Sequence, residues 1–117
     1  MASISKVLLS GSTQGKGIKV TGNGTGSAVT IHTAVSGTTD IDEIWLWAAN
    51  QHSAAVELTI EWGGTAADDL IVVDVAEEAG LVQIAPGIPL QNGLVIKAFA
   101  NSTNVINIFG FVNRLDI

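Results

Sequence analysis

The chain should fold as a single all-β domain, an antiparallel β-sandwich, jelly-roll-like, with about eight to nine strands. Three observations point there. Apolar and polar residues alternate with a period of two over much of the chain, helical periodicity is weak, and strong turn pairs recur at short intervals. The 117 residues suit one domain and suffice for a core without covalent staples.

Taken in order, the N-terminal MASISKVLLS reads as a short arm over about residues 1–10, with strand character at 4–9. The Gly/Ser/Thr-rich stretch 10–27 carries one short strand at 17–21 and is the loosest part. Strands follow at 27–34 and 42–49. Alternation is clearest over 55–62, where Val56, Leu58, Ile60 and Trp62 share one face and Glu57, Thr59 and Glu61 the other. That predicts a half-buried strand with a solvated outer face. Gly63-Gly64 ends it. ADDLIVVDVAEEAG is rich in β-branched residues, which favours a strand at 69–75 and a turn at Glu77-Glu78 over a helix. A strand at 80–85 leads into Pro86-Gly87, which suits a Pro-first turn. Asn92-Gly93 is the preferred pair for a tight turn with positive φ at both centres and opens the strand 93–100. The last strand, 104–113, contains Gly110, a mark of a bulge or a close backbone approach.

Composition removes several classes of function. There is no cysteine, hence no disulfide framework, thiolate metal site or cysteine nucleophile. Net charge is −6, and the five basic residues, Lys6, Lys16, Lys19, Lys97 and Arg114, are scattered. Nucleic-acid binding draws on clustered Lys and Arg, so nucleic acid is not an expected partner. An anionic membrane surface is opposed by the same charge. The N-terminus lacks a basic region followed by a long apolar run, so no signal peptide is expected, and the apolar runs are too short to span a bilayer. A soluble protein made in a cytoplasm is the expectation.

Tests for chemistry fail one after another. Gly11 to Lys16 resembles a phosphate loop, but only three residues separate its glycines and Gly17 follows Lys16 where Ser or Thr is required. The same residues miss the nucleophile elbow, which needs a strand-to-helix bend. The GNGTG run, Gly22 to Gly26, lacks dinucleotide-turn spacing. His32, alternating with Val29 and Ile31, should lie on the face opposite them as a structural residue, and His52 in a solvated turn. Asp40, Asp42, Glu43 and the pair Asp68-Asp69 could offer calcium carboxylates but match no EF-hand loop. Glu57 and Glu61, roughly 13 Å apart on one strand face, are too distant for glycoside hydrolysis. No enzymatic activity, cofactor or metal is expected.

All three tryptophans fall within DEIWLWAANQHSAAVELTIEWGG, residues 42–64. Trp45 and Trp47 point one way from their strand and Ile44, Leu46 and Ala48 the other, so both faces are apolar. A sandwich buries one face of each sheet. Ile44 and Leu46 are expected to join Val56, Leu58 and Ile60 inside; the alternative puts the indoles in the core. The final strand repeats the pattern, with Phe109 and Phe111 on one face and Ile106, Ile108 and Val112 on the other. Trp45, Trp47, Trp62, Phe99, Phe109 and Phe111 are therefore candidates for subunit interface or core. An indole carries on the order of 200 Å², and two of them exposed on one face call for a partner.

The runs TIHTAVSGTTDIDEIWLWAAN, AVELTIEWGG and IVVDVAEEAGLVQIAPGIPLQNGLVIKAFANSTNVINIFGFVNRL resemble the small all-β head-decoration, or cement, proteins of tailed bacteriophages, from about residue 3 onward. The likeness is one of overall layout. It implies a non-enzymatic structural virion protein on the outer capsid surface, whose copies, often trimers, bridge neighbouring major capsid subunits. On that reading Ser3, Ile4, Ser5, Lys6 and Val7 are candidates for capsid contact by strand addition. The rival is a carbohydrate-binding or tail-associated receptor-binding β-sandwich module using an exposed Trp platform.

Overall fold

The computed structural model describes residues 2–117 and contains nine strands: β1 (Ser3–Leu8), β2 (Ile18–Lys19), β3 (Val29–Thr33), β4 (Ile41–Asn50), β5 (Val56–Trp62), β6 (Leu70–Val75), β7 (Val82–Leu90), β8 (Val95–Ala100) and β9 (Ile106–Asp116). Their pairing is antiparallel throughout. One sheet runs β1-β9-β4-β7, with β2 also on β9; the other runs β3-β8-β5-β6. Counting β1 and β2 as one interrupted strand, first pairs with last, second with seventh, third with sixth and eighth, and fourth with fifth and seventh. That winding is a jelly roll.

The alternation in the sequence is the alternation in burial. Along β4, Asp42, Ile44, Leu46, Ala48 and Asn50 are buried, and the residues between them are half-buried. From β9, Ile106, Ile108 and Val112 point inward. Val56, Leu58 and Ile60 of β5 meet them from the other sheet with Ile96, Ala98 and Ala100 of β8. Small residues sit beside large ones, Ala98 opposite Ile60 and Ala100 opposite Leu58, which lets the layers interdigitate. Each fully buried Leu or Ile contributes about 1.5–3 kcal/mol from burial.

Four local expectations are corrected. Pro86-Gly87 is not a turn but lies within β7, where the register against β4 slips on either side of Trp45-Leu46 and Gly87 takes φ +77°. The prolines are tolerated because β7 is an edge strand, where a missing N–H breaks no ladder on the open side. His32 does not oppose Ile31. The register shifts between Thr30 and His32, and both Ile31 and His32 are buried. A bulge cancels the alternation there. Thr59 and Glu61 are not solvated: they are 5% and 2% exposed, Thr59 lying between its cross-strand neighbours Val72 and Phe99, and Glu61 accepting from Thr25 of a 3₁₀ turn at Thr25–Ser27. Of the arm expected over about residues 1–10, Met1 lies outside the described residues, and Ser3–Leu8 is an integral strand paired along its length with β9. The tight turn at Asn92-Gly93 is present, with φ of 64° and 65°.

Gly110 is the close approach that its place in β9 suggested. A Cβ there would run into the carbonyl oxygen of Trp45 on the neighbouring strand. Because the obstacle is backbone, Gly110→Ala should separate β4 from β9 locally and lower stability by about 1–3 kcal/mol. Equilibrium urea unfolding checks this; a variant as stable as the parent would show that the two strands can part freely.

Candidate interaction face

The outer face of the β1-β9-β4-β7 sheet collects the aromatic residues. Register places Trp45 opposite Phe111, Trp47 opposite Phe109, and Leu8 opposite Phe111 on its other side. Trp45, Trp47 and Phe111 form a near-parallel set. Ring centroids are 6.1 Å apart for each indole with Phe111 and 6.4 Å between the indoles, with interplanar angles of 9–25°. Offset-parallel geometry of this kind is favourable for aromatic rings. The ammonium of Lys6 lies 4.7 Å over the Phe111 ring, a cation–π contact.

The rings lie low because the backbone beneath leaves room. A side chain at Gly87 would meet Trp45 Cζ2 at 2.9 Å, and one at Gly17 would meet Phe109 Cζ at 2.7 Å. The Trp45 indole N–H donates to Glu43 Oε1 at 2.9 Å, and the Asn113 amide donates to the same oxygen at 3.2 Å. These two bonds, the indole's first, hold the Glu43 carboxyl below its usual range against a small opposing effect of burial. The set is thus anchored at one end by a polar pair and remains half-buried. Beside it on β1, Ile4 is 70% exposed and Leu8 52%. Together these residues make one apolar surface, half-buried at the aromatic rings and exposed at Ile4 and Leu8.

The sequence-derived candidates divide accordingly. Trp45, Trp47, Phe109 and Phe111 are brought together on this face. Lys6 and Ile4 flank it, and Ser3 and Ser5 are exposed on the same edge strand. Val7 instead packs against the core. Trp62 lies elsewhere, against the core, with its indole N–H toward Pro89 O at 3.4 Å. Phe99 is half-buried on the opposite sheet, across from Thr59.

A buried polar cluster was not anticipated. Asp42, fully buried, receives Arg114 at both carboxylate oxygens, Nε to Oδ1 at 2.7 Å and NH2 to Oδ2 at 3.0 Å. Oδ2 also meets His32 Nε2 at 2.8 Å and the Val35 amide at 3.0 Å. The Ser10 amide donates to His32 Nδ1 at 3.0 Å, so Nδ1 carries the lone pair and Nε2 the proton. Burial alone would raise the Asp42 carboxyl, but the bonds from Arg114 and His32, the guanidinium charge and the Val35 amide hold it below the ordinary range. Both imidazole nitrogens are engaged and His32 is 1% exposed, so the cluster clamps β3, β4 and β9 and leaves no lone pair for a substrate.

Asp40 Oδ1 accepts from the Ile117 amide, and among the described residues no three His, Asp or Glu side chains converge as a metal-binding group. His52 is exposed at its turn, its amide bonded to Asn50 Oδ1. No protein-family model matches the chain, and no curated protein or solved structure is significantly similar to it.

Proposed function

We propose that the protein is a non-enzymatic structural virion protein, a decoration or cement protein that assembles as a homotrimer on the outer capsid surface and bridges major capsid subunits. The observation that carries the reading is the half-buried aromatic face of Trp45, Trp47, Phe109 and Phe111, continuous with exposed Ile4 and Leu8 on the edge strand. The layout resemblance to phage decoration proteins supplies the identity of the partner. Mechanistically, the protein acts by adding buried area at joints of the shell. Burial contributes about 25 cal/mol per Å² of apolar surface before association costs are subtracted. The open edge of β1 offers main-chain hydrogen bonds in addition.

The test is sedimentation of the protein with mature capsids and with capsid-free controls. Co-sedimentation that saturates at a fixed number of copies per shell, with shells that survive higher temperature, is the expected result. Capsids that neither retain the protein nor gain stability would remove the proposal. The parallel rings also favour a second reading, a carbohydrate-binding or tail-associated receptor-binding module, because a flat aromatic set suits stacking of a sugar ring. Glycan-dependent quenching of tryptophan fluorescence in the assembled protein would reverse the ordering.

A further inference from the structure

On the opposite sheet, Glu61 is 2% exposed and lines a cleft of about 310 Å³. Its Oε2 accepts from the Thr25 hydroxyl, while Oε1 is buried with no hydrogen-bond partner. Buried carboxyl oxygens are rarely left so, because the lost hydration is not replaced. The cleft has the means to replace it from outside. Its walls include Gly63-Gly64, Thr65, the apolar Leu94, which is 42% exposed, and Lys97. Lys97 is the cross-strand neighbour of Glu61 yet makes no ion pair with it: among the described residues the Lys and Arg ion pair is Arg114–Asp42.

We infer that this cleft binds a neutral polyhydroxyl group of monosaccharide size, with one hydroxyl donating to the Glu61 carboxylate, a second accepting from Lys97, and the apolar ring face against Leu94. The pairing of opposite formal charges in one small site decides the class. A simple anion would face Glu61 and a simple cation would face Lys97, whereas a hydroxyl both donates and accepts. Two glycines bring the backbone close without side chains, and a site with a few polar groups on an apolar wall is the usual form of a small-molecule pocket. The cleft and the aromatic face belong to different sheets, so a molecule docked through its aromatic face would still present the cleft to solvent. The inference therefore stands or falls separately from the capsid reading.

Titration of the 15N-labelled protein with glucose, galactose, mannose and N-acetylglucosamine tests it. The expected result is saturable movement of the Gly63, Gly64 and Gly93 amide signals with at least one sugar, at a millimolar dissociation constant, about 4 kcal/mol of binding. Glu61→Gln and Lys97→Met should each weaken that binding about tenfold or more. Lys97→Met serves alone if the Glu61 variant does not fold, since Lys97 is exposed. Absence of saturable shifts at these glycines up to about 50 mM of every sugar, shifts indifferent to both substitutions, or preferential binding of a zwitterionic amino acid would each overturn it.

Discussion

Asp42→Ala is expected to lower folding stability by about 3–5 kcal/mol, the range for removing one partner from a buried, hydrogen-bonded ion pair. Single domains are stable by about 5–15 kcal/mol, so the loss is a large share of the total. It arises less from the missing carboxylate than from what remains. Arg114, the His32 Nε2–H and the Val35 amide would all lose their acceptor at once, the imidazole fully buried and the other two half-buried. Urea unfolding followed by circular dichroism would read it. A change below about 1 kcal/mol, the size of an exposed pair, would mean that the cluster holds nothing together.

The same carboxylate gives a pH signature. Its folded pKa lies below the unfolded value, so as pH falls the unfolded chain takes up the proton first. The stabilisation is complete above the ordinary aspartate pKa, about 3.9, and is lost as pH drops below it toward the folded value. The stability difference between the protein and Asp42→Asn should therefore narrow below about pH 4. A difference that stays constant down to acid unfolding would contradict this assignment of the charge.

Much of this was legible from parity alone. Period-two alternation located all nine strands, set Ile44 and Leu46 on the face opposite Trp45 and Trp47, and favoured that face, with Val56, Leu58 and Ile60, as the inner one. Even Asp42 was within reach: it shares parity with Ile44 and Leu46, as Arg114 does with Val112 and Ile108. Composition argues the other way, because an aspartate among Asp40, Asp42 and Glu43 resembles a solvated turn. Its partners lie 10 and 72 residues away, and no local pattern announces so distant a pairing. Parity failed where the backbone departs from a regular ladder. The bulge at Thr30–His32 turned His32 inward beside Ile31, and the one at Gly87 absorbed a Pro-Gly pair into a strand that an edge position permits. Glu61 failed for another reason. Its alternation was read correctly as pointing out of the sheet, but a segment of irregular structure distant in sequence covers that side.

The outer aromatic face yields the second large effect. On the proposed assembly, Trp47→Glu should raise the dissociation constant of the oligomer by at least about 30-fold, as expected where a buried aromatic anchor contributes about 2 kcal/mol or more. The isolated subunit should keep its fold, since Trp47 is half-buried, points away from the core and loses only its stacking on Trp45 and Phe111. Its chain neighbour makes the contrast. Leu46 is 0% exposed, and Leu46→Ala should cost the subunit about 2–5 kcal/mol while leaving the face chemically intact. Light scattering across a dilution series, paired with unfolding measured at concentrations where only monomer remains, separates the two quantities. One residue then governs association and the next governs folding, because a strand sends successive side chains to opposite sides. If the parent is monomeric at all accessible concentrations, or if Trp47→Glu unfolds the subunit as Leu46→Ala does, the outward indoles belong to the stability of a single chain and the assembly role is lost.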